Sequence, residues 1–189
     1  MVAFPDLDEP LADERVALRF GSERDIPEIL IAHQDDPRMY ARIGDERPPS
    51  GAELGREAER AAAERAAGSH ASLTILEPGS DDCRGRLEVG HVDPGAARAE
   101  LRVWVAPQCR GRGYASGALA LAARWLFGSC GLERLGLLTE TDNGPMLHAA
   151  RGAGFAQEGV LRGYWRERER RLDAVALSLL SSDVFEGVQ

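Results

Sequence analysis

The segment from Ala106 to Leu119, APQCRGRGYASGAL, joins a predicted strand to a predicted helix through a glycine-rich turn. The strand ends at Val105 and the helix begins near Gly113, so several backbone N–H groups at the positive end of the helix lack a partner. Such groups are a ready site for phosphate oxygens, and Gly111 and Gly113 let the backbone approach them closely. The segment therefore predicts a ligand that carries phosphate.

Two arginines of this turn, Arg110 and Arg112, would add positive charge beside the phosphates. The turn lacks the Gly-Lys-Ser/Thr ending of a nucleoside triphosphate loop. Its single Gly-x-Gly step also lacks the third glycine and the downstream acidic residue of a dinucleotide-binding fingerprint. Two other interpretations are a tight turn that only caps the helix and an Arg-Gly arm that binds RNA, and the net charge of -8 disfavours RNA.

The composition is typical of a soluble globular protein with one domain, with 189 residues, 43% hydrophobic and 29% charged. No long apolar run and no basic-then-apolar leader is present, so we expect a cytoplasmic protein with no membrane contact. The excess of 31 acidic over 23 basic residues argues against a nucleic-acid partner. Cys83, Cys109 and Cys130 fit no metal-site or disulfide spacing, so we expect free thiols and no metal.

Hydrophobic periodicity predicts an α+β fold in which antiparallel strands come first and a strand-helix-strand unit follows. Capping boxes at Ser22/Asp25 and Ser50/Glu53 begin two helices, of which the second is Ala-rich and lies on the surface. The predicted strands cover residues 15–20 (the first strand), 71–76, 86–92, 98–105, 132–139, 159–165 and 172–180. The predicted helices begin near Ser22, Ser50, Gly113 and Asp142 and end near Gln34, Gly68, Phe127 and Gly152.

The turn contains Gln108-x-x-Gly111-x-Gly113, which resembles the Q/R-x-x-G-x-G/A signature by which GNAT acyltransferases hold the pyrophosphate of coenzyme A. Three longer segments support the resemblance. AELRVWVAPQCRGRGYASGAL resembles the fourth strand and pyrophosphate loop, TETDNGPMLHAARGAGFAQEGVLRGYW resembles the fifth strand with its asparagine, and RRLDAVALSLLSSD resembles the final strand. The resemblance runs from Arg15 to Asp183, is clearest from Glu100 onward, and comes close to the ribosomal-protein alanine N-acetyltransferases (RimJ/RimL-like).

This resemblance implies a GNAT-like fold, with a mixed, mostly antiparallel central sheet flanked by helices and with strands 4 and 5 splayed apart. It implies a single domain over residues 1–189, with its core at about 15–183. It also implies acetyl-CoA as cofactor, with the pantetheine arm between strands 101–105 and 132–139. A backbone N–H there would polarise the thioester carbonyl while a primary amine attacks directly, without a side-chain nucleophile. The implied cofactor-binding residues are Val103, Trp104, Val105, Gln108, Arg110, Gly111, Arg112, Gly113, Tyr114, Ala115, Asn143 and Met146.

Asn143 matches the family asparagine that holds the pantetheine, and its amide can donate and accept at once. The same residue is also suited to capping the helix that contains Pro145, and the two roles are compatible. The related branch usually has a serine three residues after this asparagine, near the thiol, and here Met146 stands in its place. Methionine cannot protonate a leaving thiolate, so solvent or another group does so, or the activity is altered.

An amine acceptor must lose a proton before or during attack, so we expect a base within direct or one-water reach. The candidates, in order of preference, are Glu140, Glu100 and His148. A solvated strand end for the glutamates and simple packing for the histidine are the structural alternatives. We favour Glu140 because strand alternation aims it to the same face as Leu138, and because members of the family can carry a glutamate on that strand.

The acceptor cleft is expected between residues 41–51 and the last hairpin. The candidates to line this cleft are Trp104, Tyr164 and Trp165, although such aromatic residues more often pack in the core. The acceptor is a protein N-terminus or a small-molecule amine. Two alternatives are a different donor such as succinyl-CoA and a non-enzymatic coenzyme A sensor. The last hairpin and the Ala-rich helix are candidate surfaces for a homodimer.

Overall fold

A single mixed sheet runs through the computed structural model, which describes residues 2–42, 46–167 and 169–185. Its strands are β1 (Leu11–Ala12), β2 (Ala17–Phe20), β3 (Ala71–Leu76), β4 (Gly85–Asp93), β5 (Arg98–Val105), β6 (Arg134–Glu140), β7 (Ala156–Glu167) and β8 (Arg170–Leu180). The α-helices are α1 (Ile26–Asp35), α2 (Met39–Arg42), α3 (Gly51–Ala66), α4 (Tyr114–Ser129), α5 (Gly144–Gly152) and α6 (Ser181–Phe185). The strands lie side by side in the order β1-β2-β3-β4-β5-β6-β8-β7.

Strands β5 and β6 run parallel, because α4 carries the chain from the end of the first to the start of the second. They pair from Arg98↔Arg134 to Leu101↔Leu137 and then part. Beyond this point β5 stays paired with β4 up to Val105, and β6 stays paired with β8 up to Glu140. The splay that the resemblance implies is therefore present, with a half-paired strand on each side of the gap.

The face of the sheet that packs on α4 is apolar, and we call it the apolar face. Alternate residues of the central strands point to it, and Leu73, Leu87 and Leu101 are at most 1% exposed. On α4, Leu119 and Leu126 lie two helical turns apart and are both fully buried. This packing fixes the start of α4 relative to the end of β5.

The opposite face carries Thr74, Arg86 and Trp104 in one row across β3, β4 and β5, and we call it the polar face. At the start of α1, Asp25 accepts hydrogen bonds from Arg19 Nη2 and Thr74 Oγ1, each at 2.7 Å. Burial alone would raise the pKa of Asp25, but these two hydrogen bonds, a third from the N–H of Ser22 and the charge of Arg19 together hold the pKa below its ordinary value. Polar contacts therefore attach α1 to the sheet.

Several predicted elements are confirmed. Both capping boxes, at Ser22 and at Ser50, are present. Strands 71–76 and 98–105 have the predicted bounds. Helix α3 lies on the surface as expected, because Leu54 is its one buried residue among those that the structure describes. All three cysteines are free thiols.

Several boundaries differ from the prediction, and β7 also begins at Ala156, three residues before the predicted start. Residues 15–20 are not the first strand, because the two-residue strand β1 precedes them and pairs with them at Leu11↔Leu18; two residues are too few to give a periodic signal. The strand predicted from residue 132 begins at Arg134, because the N–H groups of Glu133 and Arg134 bond the carbonyl of Ala97. The last two strands extend into the charged run, to Glu167 and from Arg170, because charged side chains are tolerated on an exposed hairpin ladder.

Candidate functional site

A cleft of about 620 Å³ opens where β5 and β6 part. This volume is typical of cofactor sites, which span roughly 300–1,000 Å³. Its walls come from both splayed strands, the β5–α4 loop, the first turns of α4 and α5, and Met39 of α2. The predicted cofactor-binding residues that line it are Val103, Trp104, Val105, Arg110, Gly111, Gly113, Tyr114, Ala115, Asn143 and Met146.

The β5–α4 loop presents bare backbone to this cleft. Gly111 and Gly113 have φ values of +77° and +84°, in the left-handed region that favours glycine. A Cβ added to either would meet no protein atom within 4 Å, so the space beside both is open to a ligand. Gly113 is also the N-cap of α4 and supplies no capping side chain. The first N–H groups of this 16-residue helix are therefore available to phosphate oxygens.

Arg110 braces the loop through two contacts, with its side chain 41% exposed. Its Nε donates to the carbonyl oxygen of Val105 at 3.1 Å, and its Nη2 forms a 2.8 Å ion pair with Asp36 Oδ2. The sequence predicts Arg110 as a flanking positive charge for phosphate, whereas in the structure both ends of its guanidinium contact the protein. Arg110 therefore links the β5–α4 loop to the end of α1.

Gln108 and Arg112 are exposed and do not line the cleft, although the sequence resemblance assigns both to cofactor binding. Gln108 lies in the short turn Pro107–Cys109 that precedes the glycines. The Q/R-x-x-G-x-G/A signature also fits two residues further on, as R-x-x-G-x-A at Arg110, Gly113 and Ala115. All three of these residues line the cleft, so the structure favours the later register of the signature.

The start of α5 forms the wall opposite α4. Asn143 lines the cleft, and its Oδ1 accepts a hydrogen bond from the N–H of Met146 at 3.3 Å, which makes it the N-cap of α5. Because the oxygen is used in this cap, the amide Nδ2 is the group that can donate to a ligand. Met146 and His148 also line this wall.

The two predicted carboxylates both stand on the polar face but at different distances from the gap. Glu140 ends β6, is 5% exposed, and forms a 3.7 Å ion pair with Arg38 Nη2. Glu100 pairs with Gly136 where β5 and β6 are still together, one pair before the last pair, Leu101↔Leu137. Neither carboxylate lines the cleft, and Glu140 adjoins it through Thr139.

A turn between α1 and α2 closes the polar-face end of the cleft. The N–H of Arg38 donates to Asp36 Oδ1 at 3.1 Å, and the N–H of Met39 donates to the Asp36 carbonyl at 2.9 Å. Met39 is 2% exposed and lines the cleft. In the sequence, Asp36 and Pro37 predict only the end of a helix. Nothing local in the sequence shows that this turn contacts Arg110 and Glu140, which lie about seventy and a hundred residues later.

The aromatic candidates separate into two groups. Trp104 lines the cleft, and its ring lies 6.1 Å from that of His33 on α1, where burial lowers the pKa of the histidine. Tyr164 and Trp165 stack edge to face on the β7–β8 hairpin, and Tyr164 is 49% exposed. They do not line the cleft. The expected acceptor segment 41–51 includes residues 43–45, which lie outside the described part of the chain.

Thiol groups, possible metal ligands and long apolar helices are the other features of the described residues that bear on function. Burial raises the pKa of the Cys83 and Cys130 thiols to about 12, so neither is a nucleophile near neutral pH. In the ranges that the structure describes, His, Cys, Asp and Glu form no group of three that could hold a metal ion. No helix in those ranges is both long and apolar enough to cross a bilayer.

Comparison with known proteins identifies relatives of this chain. It is 27% identical over 111 residues to the uncharacterized N-acetyltransferase p20 of Bacillus licheniformis, which covers 59% of this chain and 62% of that protein. It is 33% identical over 75 residues to spermidine N(1)-acetyltransferase of Escherichia coli (strain K12), covering 40% of this chain and 39% of that protein. The matches therefore span less than two thirds of either relative.

Among solved structures, Mycobacterium smegmatis RimJ in complex with CoA-disulfide has a TM-score of 0.80 at 22% identity, and the superposition covers 94% of this chain and 88% of that one. This likeness shows a shared fold. The acetyltransferase (GNAT) domain family matches residues 15–156, a range that contains both splayed strands, the glycine loop and the first turn of α5. Since this match covers most of the chain, the protein belongs to the GNAT acetyltransferase family.

Proposed function

We propose that the protein is an N-acetyltransferase that transfers the acetyl group of acetyl-CoA to a primary amine by direct attack. One observation carries the proposal. Two left-handed glycines beside open space, at the uncapped start of α4, lead directly into the gap between β5 and β6. A diphosphate fits the first feature, and an extended chain that adds to a half-paired strand fits the second.

The donor would be held by backbone groups and by few side chains. The N–H groups at the start of α4 would bind the diphosphate, the free edge of β5 from Val103 to Val105 would bind the pantetheine arm, and Asn143 Nδ2 would donate to it. When bound, the donor supplies a thioester whose acyl carbon an amine can attack. An N–H of the β5 edge, aimed at the carbonyl oxygen, would stabilise the negative charge that develops there.

The acceptor would approach from the polar face. Glu140 is the proposed base, because it ends the splayed strand β6 on that face, and the amine would lose its proton to Glu140 directly or through one water. Glu100 is the second candidate but lies where the strands are still paired. Met146 has no proton to give, so the proton for the leaving group would come from water or from His148, which lines the same wall.

The relatives support an amine acceptor without fixing which one. One of them is a spermidine acetyltransferase, and the fold is shared with RimJ. Incubation of the protein with acetyl-CoA and either spermidine or an N-terminal alanine peptide should give an acetylated amine detectable by mass spectrometry, and incubation with succinyl-CoA should give no succinylated amine. Thermal stabilisation by coenzyme A without any product would instead favour a sensor, and product with succinyl-CoA alone would change the donor.

The β5–α4 loop, which we call the donor loop, can be tested with a matched pair of glycines. Gly111→Leu should weaken coenzyme A binding in calorimetry by about 100-fold, equivalent to about 2.8 kcal/mol, because the new side chain fills ligand space. Gly79→Leu is the control, since Gly79 has φ +80° and open space around it but lies in the β3–β4 turn and does not line the cleft. Both variants carry the same backbone strain of about 1–2 kcal/mol. Equal affinities in the two variants would rule out the loop as the donor site.

A further inference from the structure

Arg38 lies at Glu140, the proposed base, beside which the amine of a positively charged acceptor would have to lie. We propose that the guanidinium of Arg38 occupies the acceptor-amine subsite at Glu140, so that Arg38 is a specificity-determining residue that an incoming ammonium group must displace. This inference rests on the proposed function. It concerns the cationic acceptor and not the donor.

The turn that carries Arg38 is fixed on both sides of the gap. Asp36 holds the turn together by accepting the N–H of Arg38 at 3.1 Å, and it joins the β5 side through its 2.8 Å ion pair with Arg110. Arg38 joins the β6 side through Glu140. Met39, from the same turn, is 2% exposed and lines the cleft. The position of Arg38 is therefore set by the fold of the turn.

The contact between Arg38 and Glu140 joins two unequal partners. The Glu140 side chain is 6% exposed, whereas that of Arg38 is 55% exposed, and the Nη2–Oε1 distance is 3.7 Å. A buried carboxylate strongly favours a nearby cation, while an exposed arginine gives little up when it turns back into water. Glu140 thus offers a place for a cation that the protein fills with a readily displaced side chain.

An alkylammonium group matches this place in charge, and Trp104, on the same face of the sheet, lines the adjoining cleft. Once Arg38 has moved, the same carboxylate that binds the ammonium group is positioned to take its proton. The proposed base and the recognition of a cationic acceptor would then be one group. Neutral acceptors such as alcohols would gain nothing at this place and would not displace Arg38.

The test compares acceptor and donor kinetics in four proteins, with spermidine and an N-terminal alanine hexapeptide as probes. Arg38→Gln should lower the acceptor KM about fivefold, because the competing charge is gone, and leave the KM for acetyl-CoA unchanged. Arg38→Lys keeps the charge and should resemble wild type. Arg60→Gln is the control, since Arg60 is also an exposed, ion-paired arginine (60% exposed) but lies on α3.

Added methylguanidinium gives an independent measurement. It should inhibit Arg38→Gln competitively against the amine, by filling the vacated place, and should leave wild type and Arg60→Gln unaffected. An acceptor KM that is unchanged or higher in Arg38→Gln, or equal methylguanidinium inhibition of all four proteins, overturns the inference. If wild type acetylates neither probe but binds coenzyme A, the proposed function fails and not merely the role of Arg38.

Discussion

The two faces of the sheet are built from different interactions. The apolar face joins α4 through fully buried leucines such as Leu87 and Leu119. The polar face joins α1 and its following turn through the ion pairs Arg19–Asp25, Asp36–Arg110 and Arg38–Glu140. The apolar face holds the donor loop in place, and the polar face holds the proposed acceptor side.

Because of this difference, the donor loop is held more rigidly than the ion-paired acceptor side of the same site. Apolar burial has no dependence on pH and little on salt, so the donor loop keeps its shape over a wide range of conditions. Ion pairs are directional, are weakened by salt where exposed, and can exchange partners. We expect the apolar packing that positions the start of α4 to be less sensitive to pH and salt than acceptor recognition at the polar face.

The largest effect should come from the ion pair that attaches α1. Asp25→Asn should destabilise the fold by about 3 kcal/mol, because Arg19 loses a carboxylate that is 3% exposed. Asp81→Asn removes another partner of Arg19, at 2.8 Å, but Asp81 is 58% exposed and the loss should stay below about 1 kcal/mol. Chemical denaturation measures both, and equal losses would mean that burial does not decide the value of these pairs.

Asp25 also predicts that the free energy of unfolding falls in acid. The pKa of Asp25 is lower in the folded protein than its ordinary value of 3.8, so its contribution is fully present above that value and is lost as the pH falls through the folded pKa. Asp25→Asn removes this contribution at all pH values. Wild type and variant should therefore converge in free energy of unfolding at low pH, and a constant difference would contradict the assignment.

An intermediate effect should appear at the donor side, where one side chain has two roles. Asn143→Ala should lose the α5 cap, about 1 kcal/mol of stability, and donor affinity as well, by about tenfold. Asn143→Asp keeps an oxygen that accepts from Met146 but has no amide to donate, so it should keep stability and lose affinity. Calorimetry and thermal denaturation separate the two; full donor affinity in Asn143→Asp would restrict Asn143 to capping.

The smallest effect should test the link between the faces. Arg110→Gln and Asp36→Asn should each weaken coenzyme A binding about fivefold, because both release the brace on the donor loop. Their double variant should be little worse than either, with a coupling of about 0.5–1 kcal/mol. If Arg110→Gln alone weakens binding, then Arg110 contacts phosphate directly and the brace has no role in donor affinity.

The sequence predicts the fold and the position of the glycine-rich β5–α4 loop well, because both depend on local signals. The glycines at 111 and 113, the strand before them and the apolar repeat after them lie within about twenty residues of one another. Two registers of the signature fit the sequence, since Gln108 and Arg110 both suit its first place. Only the geometry shows which of them lies by the cleft.

The acceptor side was far less predictable. Asp36, Arg38 and Met39 gave no signal beyond the end of a helix, because their partners are Arg110 and Glu140, brought near by the sheet. Glu140 was chosen from strand alternation, and its role as a base stays a prediction. Tyr164 and Trp165 are candidates on chemical type alone, and neither lines the cleft between β5 and β6.

The parting of β5 and β6 also bears on how the protein avoids aggregation. Unpaired strand edges are templates onto which other chains assemble, and most proteins protect the edges at the rim of a sheet. Here two such edges face each other beyond Leu101 and Leu137, in the middle of the sheet. They line the cleft together with the first turns of α4 and α5 and with Met39, so a slender, extended chain fits between them better than the edge of another sheet.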